Sequence, residues 1–518
     1  MKKGSSDRGD PLCHYVTSPH TVGSHPQTLF LKLSVIFLSH ISTSDKNFTN
    51  YKLNGEVEIW LRKIVKSPWK GVWGRTFPQK GLPQIASETQ EIKLRHLNCG
   101  YKKYLEFRCF KKRTGGIKML TLDKIYHAKY ILKQVIRQTD IIHAPNINSE
   151  AEVYLKTENL QITGSFKVRG AYYKMSQLTD EEKQKGVIAC SAGNHAQGVA
   201  LAAAKNGIKS IICLPDGAPI SKVEATKSYG AEVCLVKGVY DDAYAEALRQ
   251  RDEMGYTFIH PFDDENVIAG QGTIGLELIE QLPDMDAVIV PIGGGGLISG
   301  VAFAIKSLNP NIKVYGVQAA GAPSMFNSVK DGEIKCLDSV STIADGIAVK
   351  EPGENTFMYC RDLVDQIVTV TDDEISAAIL ALMEQQKLVT EGAGAVAAAA
   401  AMFNKVPIKG KKVVCLLSGG NIDVTILSRV IKRGLLMSGR SYSMMIELMD
   451  KPGQLMDVSR IIANQGGNVT SIHHERANEG SAVNGCYLRI VLETRNYEHI
   501  NQIKEALANE GFKVLNNN

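Results

Sequence analysis

The stretch TENLQITGSFKVRGA (157–171) decides how the rest of the sequence is interpreted. In it, Lys167 stands between two apolar residues and directly after the turn-forming tripeptide TGS (163–165). A lysine in apolar company usually belongs to a partly buried helix face, with its ammonium group reaching water. For one lysine considered alone, this structural interpretation is favoured over a chemical one. The rest of the chain therefore has to decide between them.

Charge is distributed unevenly along the 518 residues. The chain carries 60 Lys+Arg against 54 Asp+Glu, a net charge of +6. Residues 1–118 hold 21 of the basic and 8 of the acidic residues, so that segment has a net charge of +13 and the remainder has −7. The length predicts two or three domains. Since the larger part is mildly acidic, we predict no nucleic-acid partner.

The ten cysteines occur without CxxC pairs and without histidines at metal-binding spacing. This pattern argues against a disulfide framework and against a zinc site, and it fits a reducing compartment. We therefore predict a cytoplasmic protein without a metal. The apolar run LFLKLSVIFL (29–38) is too short to cross a bilayer and contains Lys32, so no membrane partner is predicted.

The hydrophobic periodicity of the sequence changes at Met119, where an amphipathic helical pattern begins. The basic extension 1–118 has three open interpretations: a translated upstream region, a targeting segment or a small extra domain. Residues 119–435 are predicted to form one domain. After a short linker at 436–441, residues 440–518 are predicted to form another.

Within the domain 119–435, short β-branched runs alternate with alanine-rich helical stretches. The runs are 187–190, 210–215, 232–236, 287–292, 313–318 and 413–418. Continuous apolar strands between helices predict an α/β domain whose parallel sheet is covered on both faces. The last domain shows the order βαββαβ, which predicts a small ferredoxin-like unit.

Three glycine-rich turns follow predicted strands: SAGNHAQG (191–198), PIGGGGLISG (291–300) and LLSGGN (416–421). The backbone N–H groups of such turns, at the start of a helix, can bind anions. The second turn lacks the spacing of dinucleotide-binding and P-loop motifs. Its four consecutive glycines would let the backbone wrap one phosphate closely. Each turn alone is equally compatible with an ordinary tight turn.

The ordered set TGSFKVRGA, SAGNHAQG, GQGTIG, IGGGGL, TEGAGA and SGGN resembles the threonine/serine dehydratases, also called threonine ammonia-lyases, and most of all the catabolic type. These enzymes belong to the tryptophan-synthase-β-like class that uses pyridoxal 5′-phosphate (PLP). The resemblance runs from about Met119 to Gly434. It implies PLP fold type II, with two open parallel-sheet subdomains, and a lyase.

The resemblance also implies a set of site residues. Lys167 is expected to hold PLP covalently through its amine, whose pKa is lowered by desolvation beside Phe166. Asn194 is expected to contact the ring 3′-oxygen, and Ser418 the pyridine nitrogen. The phosphate is expected on Gly293, Gly294, Gly295, Gly296 and the Leu297 amide. The substrate carboxylate is expected on the turn formed by Ser191, Ala192, Gly193, Asn194 and His195.

The implied reaction is β-elimination from L-threonine, giving 2-oxobutanoate and ammonia, and from L-serine, giving pyruvate and ammonia. Lys167 is expected to remove the Cα proton as the general base. His195 is expected to pack or hydrogen-bond within its turn rather than to transfer protons. Glu391, in TEGAGA, matches a stretch near the PLP ring and has no assigned role. The sequence leaves open the preference between the two substrates, and a role in isoleucine synthesis or in threonine breakdown.

Two alternatives remain. A serine racemase would need a second base where this chain has Ala192, and carboxylate metal ligands where it has Gln318 and Ser324. A regulatory protein with an inactive PLP fold would require an unmodified Lys167.

The C-terminal unit resembles an ACT domain, with LMDKPGQL (448–455) as its strand–loop–helix opening. This resemblance implies a homo-oligomer and an amino-acid effector. A purely structural dimerisation module is the alternative.

Overall fold

The computed structural model describes residues 120–475 and 485–515. These ranges begin after the extension 1–118. The three interpretations of the extension 1–118 therefore lie outside the described residues and stay untested.

In the described ranges, the helices are α1 (Leu122–Leu132), α2 (Lys167–Ser176), α3 (Asp180–Lys185), α4 (Asn194–Lys205), α5 (Ile220–Ser228), α6 (Tyr240–Met254), α7 (Glu265–Gln281), α8 (Gly296–Leu308), α9 (Ser324–Asp331), α10 (Glu354–Leu363), α11 (Asp372–Ala381), α12 (Gly392–Met402), α13 (Val424–Met437), α14 (Gln454–Asn464) and α15 (Tyr497–Asn509). The strands are β1 (Ile141–His143), β2 (Glu152–Lys156), β3 (Val187–Cys190), β4 (Ser210–Pro215), β5 (Glu232–Val236), β6 (Thr257–Phe258), β7 (Ala287–Pro291), β8 (Lys313–Ala319), β9 (Gln366–Val370), β10 (Lys412–Leu416), β11 (Ser441–Met449), β12 (Asn468–Glu475), β13 (Gly485–Glu493) and β14 (Lys513–Leu515).

The strands form three sheets. A six-stranded sheet has the order β1-β2-β10-β7-β8-β9, and a four-stranded sheet has the order β5-β4-β3-β6. All pairs in these two sheets are parallel except β1 with β2, which is an antiparallel edge. This arrangement confirms the prediction of two open parallel-sheet subdomains, to which the structure adds one antiparallel edge strand.

Strand β7 shows why the large sheet is covered on both faces. Its sequence AVIVP is wholly apolar and wholly buried. Because successive side chains of a strand point to opposite faces, Ala287 and Ile289 pack in one core with helix α12, whereas Val288 and Val290 pack in a second core with helix α8. Burial of a Val or Ile side chain contributes roughly 1.5–3 kcal/mol. A strand with no polar face therefore needs a helix on each side.

Two acidic and two basic side chains form a buried charge cluster behind α2. Arg169 donates to both carboxylate oxygens of Glu158, at 2.8 and 2.8 Å, and to both of Glu277, at 2.6 and 3.0 Å. Lys156 Nζ donates to Glu277 Oε2 at 2.6 Å. All four side chains are buried. Because their charges cancel, the cluster ties the end of β2, the start of α2 and helix α7 together without a net buried charge.

The C-terminal sheet is antiparallel with the order β12-β13-β11-β14, and helices α14 and α15 pack on one face of it. Alternate residues of β13 (Cys486, Leu488, Ile490 and Leu492) are buried against these helices. The predicted βαββαβ order and the ferredoxin-like fold are confirmed.

The predicted linker at 436–441 is wrong in its bounds. Helix α13 continues to Met437, and strand β11 begins at Ser441. Gly439, at φ +66, lies just after the helix end, in the left-handed conformation that commonly terminates a helix. Gly439, inside the predicted linker, is therefore part of a helix stop.

A search of the described ranges for helices long and apolar enough to cross a bilayer finds none.

Candidate active site

Lys167 is the first residue of α2, and the turn before it is anchored from both sides. Gly164 has φ +68, and a Cβ at this position would lie 2.3 Å from Asn421 Oδ1. Ser165 pairs with Gly419 in an isolated antiparallel bridge. The Phe166 amide donates to the Ser418 carbonyl at 3.2 Å. The TGS turn therefore needs its glycine, and it is held against the SGGN turn 250 residues later in the sequence.

The amine of Lys167 is held in an environment that favours its neutral form. Nζ donates to the Pro261 carbonyl at 2.9 Å and lies 5.4 Å from the centre of the Phe166 ring. Burial lowers its pKa from the ordinary 10.5 to about 8, against the opposing charge of Glu391. A neutral amine is the nucleophilic form that a carbonyl-binding lysine requires. These surroundings are the ones that a chemical role of Lys167 requires, and that role stays a prediction.

The four-glycine turn, Gly293 to Gly296, lies between β7 and α8. The backbone N–H groups of Gly293 through Leu297 donate no hydrogen bond to any of the described residues. A Cβ on Gly294 would lie 2.4 Å from the Phe262 ring, so a side chain is excluded there. Open N–H groups at a helix N-terminus attract an anion. The turn therefore fits the phosphate of PLP.

Phe262 brings Lys167 and the glycine turn to the same place. Its ring and backbone lie against Gly294 and Gly296. The preceding residue, Pro261, accepts the hydrogen bond from the Lys167 amine. The buried hydroxyl of Ser165, two residues before the lysine, has no hydrogen-bond partner. A buried donor without a partner is costly, so this orphan also fits a site that holds a polar group.

Asn194 and His195 begin helix α4 directly after the turn 191–193. His195 Nε2 lies 2.8 Å from the Ile259 carbonyl. Burial, reinforced by the nearby Lys167 charge, lowers the pKa of His195 to about 3. A buried neutral imidazole bound to a carbonyl supports a packing role at neutral pH. Ser191, Ala192 and Gly193 are half-buried. The Ser191 amide donates to the Cys213 carbonyl at 3.2 Å and the Gly193 amide to Ser191 Oγ at 3.2 Å.

Asn194 is the centre of a hydrogen-bond network between separate turns. Its Nδ2 donates to Glu391 Oε1 at 2.5 Å. Its Oδ1 accepts from Asn421 Nδ2 at 2.7 Å, and the same Asn421 nitrogen donates to the Thr163 carbonyl, also at 2.7 Å. The network joins the turn before Lys167, the start of α4, the start of α12 and the SGGN turn.

Glu391 is a buried carboxyl beside this network. Burial raises its pKa to about 7, and the Asp345 charge adds to the rise; Asn194, Lys222 and Lys167 act in the opposite direction. Glycine is needed next to it, because a Cβ on Gly419 would lie 2.3 Å from Glu391 Oε1. The carboxyl is therefore fixed in place and changes its charge near neutral pH.

Ser418 is buried just beyond the end of β10, and its Oγ lies 3.2 Å from the Ala393 carbonyl. A hydroxyl proton can rotate. The same proton can therefore be donated to a ring nitrogen in exchange for the Ala393 bond.

The structure brings the residues predicted from sequence to one place, through contacts that the sequence did not indicate. Pro261, Phe262 and Asn421 were not predicted as site residues. Asn421 lies in the motif SGGN (418–421), and the amide next to two glycines was the only feature of the sequence that could have indicated its role. The carbonyl of Pro261 and the ring of Phe262 carry no signal in the sequence.

The prediction of no metal stays a prediction. Within the described ranges, one group of three residues could hold an ion: Asp450, His474 and Cys486, in the C-terminal unit. Gln318 Oε1, at the position where a racemase would need a metal ligand, accepts from the Phe326 amide at 2.7 Å.

Comparisons with known proteins agree with this geometry. The profile of the family described as "Pyridoxal-phosphate dependent enzyme" matches residues 132–419. The chain is 48% identical to an L-threonine ammonia-lyase from Thermotoga maritima over 398 residues, which are 76% of this chain and 99% of that protein.

Solved structures show the same similarity. The processed form of threonine deaminase isoform 2 from Solanum lycopersicum aligns with a TM-score of 0.57 and 40% identity, over 60% of this chain and 93% of that one. Maize serine racemase aligns with a TM-score of 0.58 and 36% identity, over 62% of this chain and 99% of that one. The matched residues 132–419 contain Lys167, Asn194, the four-glycine turn and Ser418.

Proposed function

This chain belongs to the family of pyridoxal-phosphate dependent enzymes, and on that premise we propose that it is a lyase that converts L-threonine into 2-oxobutanoate and ammonia. L-serine, which lacks one methyl group, is the second substrate and gives pyruvate and ammonia. One methyl group changes binding in an apolar pocket by only about 1–3 kcal/mol, so both amino acids fit the proposal.

The observation that carries this proposal is the position of the Lys167 amine. The side chain is half-buried, its pKa is lowered to about 8, and Pro261 with Phe262 connects it to a glycine turn with open N–H groups. An amine and an anion-binding turn held this close suit a cofactor that carries both an aldehyde and a phosphate. A relative at 48% identity that is named L-threonine ammonia-lyase supports the choice of reaction.

We assign the cofactor contacts as follows. Lys167 holds the aldehyde carbon, with Phe166 beside it. Asn194 contacts the ring oxygen and Ser418 the ring nitrogen. The phosphate contacts are the N–H groups of Gly293, Gly294, Gly295, Gly296 and Leu297.

When bound, PLP supplies an electron-withdrawing ring that makes the Cα proton of an amino acid acidic. The turn 191–195 binds the substrate carboxylate, which orients Cα toward Lys167. The donors are the N–H groups of Ala192, Asn194 and His195, because those of Ser191 and Gly193 already donate to the Cys213 carbonyl and to Ser191 Oγ. Once the substrate amine has replaced Lys167 at the aldehyde carbon, the freed and neutral lysine amine can take the Cα proton. The β-hydroxyl takes up one proton, which balances the one accepted by Lys167, and leaves as water. The unsaturated product takes up one water and releases ammonia, which balances the overall conversion.

Ala192 favours elimination over racemisation. Racemisation needs a proton donor on the face of the substrate opposite Lys167, and the methyl side chain of Ala192 carries no transferable proton. The resemblance places a serine at this position in racemases. Serine racemisation stays a second candidate because the structure is similar to that of maize serine racemase.

The proposal is tested by steady-state kinetics with L-threonine and L-serine, with 2-oxo acid and ammonia measured separately. Equal amounts of the two products are expected from wild type, and none from Lys167→Ala. A matched control is Lys174→Ala on the same helix, where the amine pairs with Asp264. If wild type with added PLP forms D-serine but no 2-oxo acid, the lyase proposal is wrong.

We also propose that residues 440–518 form an ACT-type regulatory domain that pairs in a homo-oligomer and binds an amino-acid effector. Exposed apolar side chains in this unit support pairing: Met449, Leu455, Met456 and Ile472. Threonine turnover titrated with isoleucine and valine should respond in the full chain and not in a chain ending at residue 439. Light scattering should show a lower mass for the shortened chain. An unchanged response after truncation would refute the regulatory assignment.

A reducing compartment, the cytoplasm, is part of the proposal. The described part of the chain contains seven cysteines, all of them thiols rather than disulfides. Labelling of the protein from its native cells with a thiol reagent, before and after reduction, should give the same number of reactive cysteines.

A further inference from the structure

Glu391 and Asn421 together leave Asn194 only one amide orientation. The amide of an asparagine has an acceptor end and a donor end, and it can be turned around to exchange them. Here Oδ1 accepts from Asn421, and one N–H of Nδ2 donates to Glu391. The second N–H of Asn194 is then the only donor of the amide left for a ligand.

The network is anchored at both ends. Asn421 Nδ2 donates to the backbone carbonyl of Thr163, and a carbonyl can only accept. Asn421 must therefore present an N–H to Asn194, which must present its oxygen in return. An ionised Glu391 can also only accept. A turned Asn194 amide would place its oxygen against the carboxylate and its NH₂ against that of Asn421.

We infer that Glu391 is a positioning residue that fixes the amide of Asn194 so that an N–H, and not the oxygen, faces the cofactor ring. This inference rests on the proposed function, because it requires PLP to lie against Asn194. It gives a role to Glu391, which lies in the motif TEGAGA and to which the sequence assigns no role.

The surroundings of Glu391 fit an ionised acceptor above neutral pH. Its pKa is about 7, and the charged groups that act on it are Asp345, which raises the pKa, and Lys222 and Lys167, which lower it. At pH 8 the carboxyl is therefore mostly ionised. A glutamine at this position could turn its own amide and donate as well as accept, so it would no longer oppose a turned Asn194 amide, and Asn421 would be the one anchor left.

The test is a double-mutant cycle at pH 8 with three variants: Glu391→Gln, Asn194→Ala and the two combined. The affinity of each apoprotein for PLP is measured by absorbance titration, together with the circular dichroism of the bound cofactor. A hydrogen bond between a neutral donor and a charged group corresponds to roughly a tenfold change in binding. We expect each single variant to bind PLP roughly tenfold more weakly and the double variant to be within about twofold of Asn194→Ala.

Two further variants complete the experiment. Glu384→Gln changes an exposed glutamate that pairs with Arg440, and it should leave the PLP affinity unchanged. Asn421→Ser removes the other anchor of the Asn194 amide and should weaken PLP binding in the same direction as Glu391→Gln. It keeps the test decisive if one of the other variants fails to fold.

The outcomes separate this inference from the proposed function. If wild type does not bind PLP, or if Lys167→Ala still forms the covalent adduct, the proposed function fails. If wild type binds PLP through Lys167 but the effects of Glu391→Gln and Asn194→Ala multiply in the double variant, Glu391 does not act through Asn194 and only this inference fails. The same holds if Glu391→Gln binds PLP as wild type does.

Discussion

Replacing Arg169 with methionine tests whether the buried charge cluster supports the helix that carries Lys167. Arg169 donates five hydrogen bonds, two to Glu158, two to Glu277 and one to Thr273. Its removal leaves two buried carboxylates with only Lys156 to balance them, a net charge of −1. Methionine fills much of the volume but neutralises nothing.

The expected loss of stability follows from the burial. Adding five charge-assisted bonds at about 1.5–3 kcal/mol each would overstate the loss, because the bonds replace hydration in the unfolded chain. Measured costs of removing one partner from a buried ion pair are about 3–5 kcal/mol. We therefore expect Arg169→Met to lower the free energy of unfolding by about 3–5 kcal/mol at pH 8.

The loss should depend on pH with a definite sign. In wild type, burial raises the pKa of Glu158, but the charge and hydrogen bonds of Arg169 outweigh it and the net pKa is lowered. Glu158 therefore stabilises wild type above its unfolded pKa. In the variant, one buried carboxyl has no balancing charge, and its pKa is raised above the unfolded value of about 4.3. The variant therefore keeps its full free energy of unfolding below about pH 4.3 and loses part of it as the pH rises. The difference between the two proteins should be larger at pH 8 than at pH 5.

The assay is urea unfolding followed by the cofactor absorbance, which reports the PLP-binding domain separately from the C-terminal unit. The matched control is Arg249→Met, because Arg249 also pairs with two glutamates, Glu246 and Glu253, but on an exposed helix. Its unfolding midpoint should not change measurably, since exposed pairs are screened by water. Equal midpoint shifts for the two variants, or a shift of Arg169→Met that shrinks from pH 5 to pH 8, would refute the reasoning.

Three further predictions concern the site. Gly294→Ala should prevent tight PLP binding, because its Cβ would lie 2.4 Å from the Phe262 ring. The control Gly217→Ala, whose Cβ would have no atom within 4 Å, should bind PLP as wild type does. Equal PLP affinities of the two variants in a titration would contradict the close packing of Gly294 on Phe262. The rate at which apoprotein incorporates PLP should rise with pH through about 8, the lowered pKa of Lys167, since only the neutral amine reacts; a rise centred near the ordinary 10.5 would contradict the burial effect. Ala192→Ser should form D-serine from L-serine, measured by chiral chromatography, and its absence would show that this position does not face the substrate.

The sequence predicted most of the fold because the parallel strands are continuous apolar runs. Strands β3, β4 and β5 have the bounds expected from their β-branched residues, and β7, β8 and β10 differ at their ends by one or two residues. Strands β1, β2, β6 and β9 were not predicted. Strand β2 contains Glu152 and Lys156, and Lys156 is buried only because Glu277 neutralises it. Because Glu277 lies 121 residues after Lys156, the sequence does not indicate that this charged residue is buried in a strand.

The site was predicted as a set of motifs but not as a network. The motifs that contain Lys167, Asn194 and Ser418 could be recognised because each is a local pattern of turn and helix start. The bond from Asn194 to Glu391 spans 197 residues, and the bond from Asn194 to Asn421 spans 227. Such contacts depend on how the two sheets pack. No local pattern in the sequence indicates them.

Lys167 as the covalent anchor is the claim on which the assigned mechanism rests. Reduction of the holoprotein with borohydride, followed by digestion and mass spectrometry, measures it directly. The account predicts one pyridoxyl group, located on Lys167 in the peptide that contains TGSFKVRGA. A pyridoxyl group on any other lysine, or none after incubation with PLP, would contradict it.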